Sequence, residues 1–470
     1  MEGVAGGEVI GATVVGSTAA SVAPGARTGA GTVTTVKFLA SEIAHAVGGT
    51  LAGPDVEVHG AAIDSRLVHR GQLFIPVTGE RDGHDFIPAA RAAGAVATLT
   101  SRAPEPGITS IVVSDTAAAL TTLGAYARTK LGERVVGITG SVGKTSTKDL
   151  TAAALGRLHV VSASEKSFNN ELGVPLTLVN AHDDTDVAVI EMGSRGAGHI
   201  AWLCEIAQPT IAVVTAVELV HAELMGDLDA IARAKGELPA ALPAGGVAVL
   251  NGADERVAAM AGRTTARSIL YGVDRGDVRA AHVELGPDLR ARFRLESSWG
   301  STDVHLGVRG LHHVGNALAA ATVALICDVP VDEVAAGLEL SELSPWRMDL
   351  QTAPSGARVL NDAYNAGPAS MEAALRAVAH LDAVRHRAVL GPMAELGEGG
   401  PAEHRRIAAL ADELGVELIV VGTAEYGVVP VPDGDAALAE LGPLGPDDAV
   451  LVKGSRVAGL ETVAERLLSR

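Results

Sequence analysis

Three α/β domains are what this 470-residue sequence predicts: a smaller N-terminal one, a central parallel sheet wrapped by helices, and a doubly wound C-terminal one. Three observations lead there. The chain is longer than one hydrophobic core can serve, and its length sets about three domains. Short Val, Ile, Leu and Ala runs alternate with stretches of helical period, as in strands covered on both faces by crossover helices. One such strand, at 135–139, runs directly into a glycine-rich turn and then a further helical pattern.

Taken in order, residues 1–35 are almost all Gly, Ala, Val, Thr and Ser, and lack a basic segment ahead of a compact apolar core. Small residues cannot repay chain entropy, so this stretch predicts a disordered extension rather than a secretory signal. The first domain is expected over 36–114, with a helix at 38–47, a turn and short strand at 71–77, and a strand at 110–113. A helix at 115–131 opens the central domain, expected over 115–343. There, 187–190, 211–214 and 247–250 read as buried strands, with helices at 199–207 and 228–241. A polar, strand-rich stretch at 279–308 precedes an alanine-rich helix at 316–327. A Ser/Pro link at 341–346 leads into the C-terminal domain, 344–470, with strands at 388–390, 418–421 and 449–452.

Hydrophobic residues make up 47% of the chain and charged ones 20%, which is the balance of a water-soluble globular protein. Aromatics are only 3%, so the cores must be built from Ala, Val, Leu and Ile. No apolar run approaches the ~20 residues that span a bilayer. A net charge of −19 argues against nucleic-acid partners, while leaving room for an anionic small substrate in a local basic pocket. Cys204 and Cys327 stand far apart without metal-ligand spacing, which excludes a disulfide framework and fits a reducing cytosol.

The turn after the 135–139 strand carries Gly137, Gly140, Ser141, Gly143, Lys144, Thr145 and Ser146. Glycines let backbone N–H groups converge on phosphate oxygens, and a helix N-terminus adds partial positive charge. Lys144 can reach β- and γ-phosphates, and the Thr145 hydroxyl can ligate Mg²⁺. Ile138 stands where the strict phosphate-loop spacing has its first glycine. The arrangement predicts ATP binding.

Other residues carry chemistry less specifically. Glu191 ends a buried strand, where ligands bind in open α/β sheets, and could hold Mg²⁺. By spacing alone His221 reads as a structural or solvated histidine and Lys235 as a helix-face lysine. Arg347, at the link, suits phosphate or carboxylate. Asp362, Tyr364 and Asn365 form a polar cluster. The Lys453-Gly454-Ser455-Arg456 turn suits an anion or is merely a solvated basic turn. Asp64-Ser65-Arg66 and the segment 79–86 are polar clusters beside strands that either bind a phosphorylated ligand or satisfy turns.

Together these residues resemble the Mur ligase family, from about residue 36 to the C-terminus. The resemblance rests on Asp64-Ser65-Arg66, the 79–86 segment, the Gly137–Thr145 turn, Asn169-Asn170 with Gly173-Val174-Pro175, and Glu191-Met192-Gly193. It continues with His221, Ala234-Lys235-Gly236-Glu237, the run Asn361 to Ala366, Glu395-Leu396-Gly397 and the 453–456 turn. It is most similar to the branch that adds D-Ala-D-Ala to a UDP-muramoyl tripeptide. The resemblance implies a cytoplasmic, monomeric ATP-dependent ligase of peptidoglycan synthesis that forms an amide through an acyl phosphate. Its partners would be small molecules, a UDP-muramoyl peptide and a dipeptide amine, with no nucleic acid and no membrane span.

The resemblance also implies roles. Lys144, with Gly140, Ser141, Gly143 and Ser146, would hold phosphate. Thr145, Glu191, His221 and Lys235 would serve two Mg²⁺ ions, Lys235 as the lysine the family carbamylates. Asn316 would lie near adenine, Asp362 near ribose and Arg347 near the γ-phosphate. Ser65 and Arg66 would serve the uridine-nucleotide substrate, and Asn170, with Asn365, Lys453, Ser455 and Arg456 of the C-terminal domain, substrate binding.

Five positions depart from the family pattern: Ser167, His313, Trp346, Gly367 and Pro392. None removes a phosphate or metal ligand, so they bear on nucleotide contacts and the second substrate. They leave room for a paralogue joining a different carboxylate and amine. A reading from another class, a non-catalytic nucleotide-binding regulatory subunit, is opposed by the retained Lys144, Glu191, His221 and Lys235.

Overall fold

The computed structural model describes residues 35–219 and 226–469, which form two compact units. The first comprises the described residues up to 135 together with 159–190 and 205–208. Its five-stranded sheet runs in the order Thr50–Ala52, Thr109–Val112, Ala97–Thr100, Leu73–Phe74, Ala61–Ala62, with only the first pair antiparallel. A separate antiparallel pair joins Lys37–Leu39 to Glu57–His59. The helix expected at 38–47 therefore starts later, at Ala40. Asp115 caps the helix Thr116–Arg128 by accepting from Ala117 N and Ala118 N, which is why that helix begins where the sequence indicated. Leu120 and Leu123 of this helix are fully buried.

The second unit holds 136–158, 191–204 and the described residues from 209 onward. Its apolar strands pair in parallel, Ile211–Val214 between residues 136–139 and Val247–Asn251, then Arg267–Val273 and Val278–Leu285. The polar stretch beyond forms antiparallel strands Arg290–Ser297 and Gly300–Arg309. Alternating burial along Arg290–Ser297 shows one face in the core and one in water, unlike the uniformly buried Ile211–Val214. The helix expected at 228–241 is two helices, Leu228–Lys235 and Glu237–Ala240, broken at Gly236. The alanine-rich helix runs His313–Ile326, three residues earlier than expected, and packs on Lys144–Leu155.

The rest of this unit carries a second five-stranded sheet, ordered Asp349–Thr352, Arg358–Asn361, Asp448–Lys453, Arg385–Leu390, Val416–Val420. All pairs but the first are parallel. One apolar cluster includes Met371, Leu375 and Ile407, and another includes Leu438, Val463 and Leu467. Their helices, Pro368–His380 with Gly400–Glu413 and Gly434–Leu441 with Glu461–Leu468, cover opposite faces, as a doubly wound sheet requires. Leu289, from the turn before Arg290–Ser297, is buried in the first of these clusters. Fully burying such a side chain contributes about 1.5–3 kcal/mol.

Candidate active site

The strand Arg134–Thr139 ends in a loop whose shape only glycine permits. Gly140 has φ +148° and Gly143 φ +81°. A Cβ on Gly140 would stand 1.9 Å from Thr215 Oγ1, and one on Gly143 2.6 Å from Asn316 Oδ1. The loop is also tied to the segment after Ile211–Val214. Ser141 Oγ donates to Glu218 O and accepts from Glu218 N, both at 2.9 Å. Thr215 Oγ1 donates to Val142 O at 2.6 Å.

Lys144 opens the helix Lys144–Leu155, and its Nζ donates to the carbonyls of Gly140 (2.8 Å) and Ser141 (3.1 Å). Thr145 and Ser146 follow, both buried. Glu191 is buried at the end of Val187–Glu191. The turn after it is fixed where Met192 N donates to Ile138 O and Thr139 Oγ1 donates to Met192 O, each at 2.8 Å. Desolvation pulls the Lys144 ammonium below the ordinary lysine range, against the nearby Glu191 carboxylate and with the repulsion of Arg347. The structure thus brings Lys144, Glu191 and Arg347 within one electrostatic neighbourhood.

Lys235 closes the helix Leu228–Lys235 with its side chain 2% exposed and Nζ donating to Ser194 Oγ at 2.8 Å. Burial, then the charge of Lys144, pushes its amine down to about 7, with Glu237 opposing. Glu237 accepts from Gly198 N at 2.6 Å and Ala201 N at 3.0 Å, so the helix Glu237–Ala240 is tied to the start of the helix His199–Ala207. His221 lies outside the described residues.

A second group of residues gathers at the start of His313–Ile326. Asn316 Oδ1 accepts from Thr147 Oγ1 at 3.3 Å, while its Nδ2 faces His313 Nδ1 at 3.0 Å. The Arg347 guanidinium stacks 4.0 Å above the Tyr364 ring. Asp362 follows the strand Arg358–Asn361, and its carboxylate accepts from Met348 N at 3.0 Å and from Lys453 Nζ at 2.5 Å. Lys453 also donates to Asn365 O at 3.0 Å. The basic turn is therefore solvated at one end only: Lys453 is buried and paired, while Arg456 is exposed. Ser455 Oγ accepts from Ala394 N at 2.8 Å, and Arg456 stacks 4.5 Å over Trp346.

The remaining sequence-derived residues belong to the first unit. Ser65 and Arg66 open a short 3₁₀ turn capped by Asp64, which accepts from Arg66 N at 3.0 Å and Arg66 Nε at 2.9 Å. Asn170 Oδ1 accepts from Gly173 N at 2.9 Å ahead of the helix Gly173–Val179. Asn180, not singled out from sequence, exchanges two hydrogen bonds with Ala61. Sequence reading also passed over Ser194 and Glu218. Burial and then the nearby Asp254 carboxylate push the half-buried Glu218 up to about 7. Ser194 had a signal, since it directly follows Glu191-Met192-Gly193; Glu218 had none.

Three stretches match models of Mur ligase domains: 57–128 the catalytic domain of the Mur ligase family, 138–324 the middle domain, and 346–456 the glutamate ligase domain. The UDP-N-acetylmuramoyl-tripeptide–D-alanyl-D-alanine ligase of Mycobacterium tuberculosis H37Rv is 42% identical, over 92% of this chain and 98% of its own length. That of Escherichia coli K12 is 33% identical, over 91% and 97%. Among solved structures, MurF of Acinetobacter baumannii superposes with a TM-score of 0.83 at 30% identity, covering 93% of this chain and all of the other (100%). MurF of Thermotoga maritima in complex with ADP gives 0.76 at 26% identity, covering 87% and 96%. A chain matched over 92% of its length by a relative of this kind, and by three models of Mur ligase domains, belongs to the Mur ligase family.

Proposed function

We propose that this chain joins D-alanyl-D-alanine to UDP-N-acetylmuramoyl tripeptide at the expense of ATP, the amide-forming step that completes a cytoplasmic peptidoglycan precursor. The observation that carries the reading is the buried Glu191 carboxylate beside Lys144 on a glycine-built phosphate loop, in a chain 42% identical to a ligase of that name.

The tripeptide carboxylate attacks the γ-phosphorus, the bond to ADP breaks, and an acyl phosphate forms. The dipeptide amine then attacks the acyl carbon, phosphate leaves, and the nitrogen loses a proton. Phosphoryl transfer asks chiefly for positioning and charge neutralisation. Loop N–H groups and Lys144 hold the β- and γ-phosphates, and Arg347, held flat on Tyr364, meets the γ-phosphate. Asn316 serves the adenine and Asp362 the ribose. Ser65 and Arg66 serve the uridine nucleotide, Asn170 serves substrate binding, and Asn365, Ser455 and Arg456 stand on the substrate side of the C-terminal domain. Lys453 contributes there by holding Asp362 and Asn365 in place.

Thr145 and Glu191 supply hard oxygen donors that fit Mg²⁺. Among the described residues no three His, Cys, Asp or Glu side chains converge as a cage. Two Mg²⁺ ions, the second with His221 and Lys235, would neutralise charge developing on the phosphoryl group. An amine pushed down to about 7 is substantially neutral in the cell, which favours addition of CO₂ to Lys235 Nζ with loss of a proton to give a carbamate. The division into 36–114 for the uridine substrate, 115–343 for ATP and 344–470 for the amine is part of the same proposal. So is a monomer working in the cytoplasm. Both cysteines are buried and neither is in a disulfide, which fits a reducing compartment. No described helix is long and apolar enough to cross a membrane.

The test is to incubate the protein with ATP, Mg²⁺, UDP-N-acetylmuramoyl tripeptide and D-Ala-D-Ala. A product mass equal to the sum of the tripeptide substrate and D-Ala-D-Ala less water, with one ADP per product, is expected. Absence of product despite ATP binding would move the search to another acid and amine.

A further inference from the structure

Asp149 joins the helix that follows the phosphate loop to the link that leads to Arg347. It lies on Lys144–Leu155 one turn beyond Thr145, and side chains four residues apart share a helix face. Its side chain is 13% exposed. One oxygen, Oδ2, accepts from both Ser344 N at 2.8 Å and Ser344 Oγ at 2.9 Å, across 195 residues of sequence. The other, Oδ1, pairs with Lys148 Nζ at 2.8 Å.

Ser344 heads a segment with no ladder of backbone bonds, since residues 341–348 form neither helix nor strand. Pro345 fixes its own φ and biases Ser344 toward extended backbone, so little freedom separates the anchored serine from Trp346. Trp346 O accepts from Tyr364 N at 3.2 Å, and Met348 N donates to Asp362 at 3.0 Å. Arg347 is thus bracketed by two carboxylates, Asp149 ahead of it at Ser344 and Asp362 after it at Met348. Asp362 belongs to the C-terminal sheet, whereas Asp149 belongs to the helix of Lys144 and Thr145. The Asp149 bonds therefore tie the arginine's segment directly to the phosphate-binding element. The Arg347 charge is felt at Lys144, so a shift of the link would alter the pair of cations that meets the phosphates.

We infer that Asp149 is a positioning residue for phosphoryl transfer, a role that rests on the ligase reading above: by holding Ser344 it sets where the Arg347 guanidinium stands against Lys144 and Thr145. A carboxylate suits both of its duties. An asparagine would still offer an oxygen to Ser344, but would turn an N–H group toward the Lys148 ammonium.

The test is a double-mutant cycle in kcat for the full chain, with ATP, Mg²⁺, UDP-N-acetylmuramoyl tripeptide and D-Ala-D-Ala, beside ADP affinity by calorimetry. D149A should lower kcat about 10- to 100-fold, as a misplaced group does. Its ADP affinity should stay within about 2-fold of wild type, because ADP has no γ-phosphate for Arg347 to meet. In the R347A background D149A should cost little more, since groups that act as a unit are not additive. D149N keeps the acceptor for Ser344 and should retain most of kcat, while melting at a lower temperature for want of the Lys148 ion pair. S344A, which removes one of the two donors, should fall between wild type and D149A. Losses that multiply in the double variant overturn the inference, as does a D149N as slow as D149A, which would put the effect on Lys148. An ADP affinity that drops along with kcat in D149A also overturns it, by making Asp149 a support of the whole nucleotide site. Should D149A fail to fold, D149N and S344A, with and without R347A, decide the same question. Wild type without turnover removes the ligase reading together with the inference, whereas turnover with multiplying losses removes the inference alone.

Discussion

Lys453 Nζ lies 2.5 Å from Asp362 Oδ2, with the two side chains 3% and 12% exposed, across 91 residues of sequence. The pair joins the ends of neighbouring parallel strands, Arg358–Asn361 and Asp448–Lys453. Through Met348 N, which donates to Asp362, it also fixes the chain beside Arg347. Removing one partner of a buried ion pair leaves the other uncompensated, at about 3 kcal/mol or more. K453M should therefore lower the urea midpoint of the C-terminal section and raise the KM for ATP, while K453M/D362N should recover much of the midpoint. Equal losses in single and double variants would mean that the pair is not the source.

Much of this arrangement was legible in sequence. Runs such as 211–214 and 449–452 could only be strands buried on both faces, and the Gly-Lys-Thr turn announced its chemistry. What stayed hidden depends on distant partners. Lys453 read as a possible solvated cation because nothing local marks Asp362 as its mate. Two polar histidines masked the start of His313–Ile326, which the alanine pattern placed three residues late. Gly236 broke a helix that periodicity carried through. The positive φ of Trp346, +61°, accompanies a stack on Arg456 that no local pattern announces.

Lys235 should make activity depend on pH and on bicarbonate together. An amine at about 7 is protonated below that pH and neutral above it. The neutral fraction rises from about a tenth at one unit below to about nine-tenths at one unit above. Only the neutral form adds CO₂, so turnover in CO₂-depleted buffer should fall on the acid side and be restored by added bicarbonate. K235A should lose at least about 100-fold in kcat and ignore bicarbonate. The check is initial rate against pH with and without bicarbonate; a profile unmoved by bicarbonate would remove the carbamate from the mechanism.

Gly143→Ala tests the loop geometry. Its φ of +81° strains any L-residue, and the new Cβ would meet Asn316 Oδ1 at 2.6 Å. Left-handed backbone costs a non-glycine residue about 1–2 kcal/mol. The displaced amide would break the links to Thr147 and His313. ATP affinity should drop by at least about 10-fold, with a stability loss of about 2 kcal/mol, read by nucleotide titration and thermal melting. Unchanged affinity would mean that Asn316 is not held by the loop.

Trp346→Gly places two opposing effects at the link between the two sheets of the second unit. Trp346 sits at φ +61°, so glycine relieves about 1–2 kcal/mol of backbone strain. Against that stand the lost stack on Arg456, about 0.5–1 kcal/mol, and the larger unfolded-state entropy of glycine, of similar size. The terms nearly cancel, so the melting temperature should hardly move. Mobility should change instead. Trp346 O accepts from Tyr364 N at 3.2 Å, and the Tyr364 ring supports Arg347 at 4.0 Å. Freeing residue 346 should speed amide exchange around 344–348 and raise the KM for ATP through a less settled Arg347. A loss of several kcal/mol would instead show that the indole ring carries packing beyond its stack, and that Trp346 holds the link together.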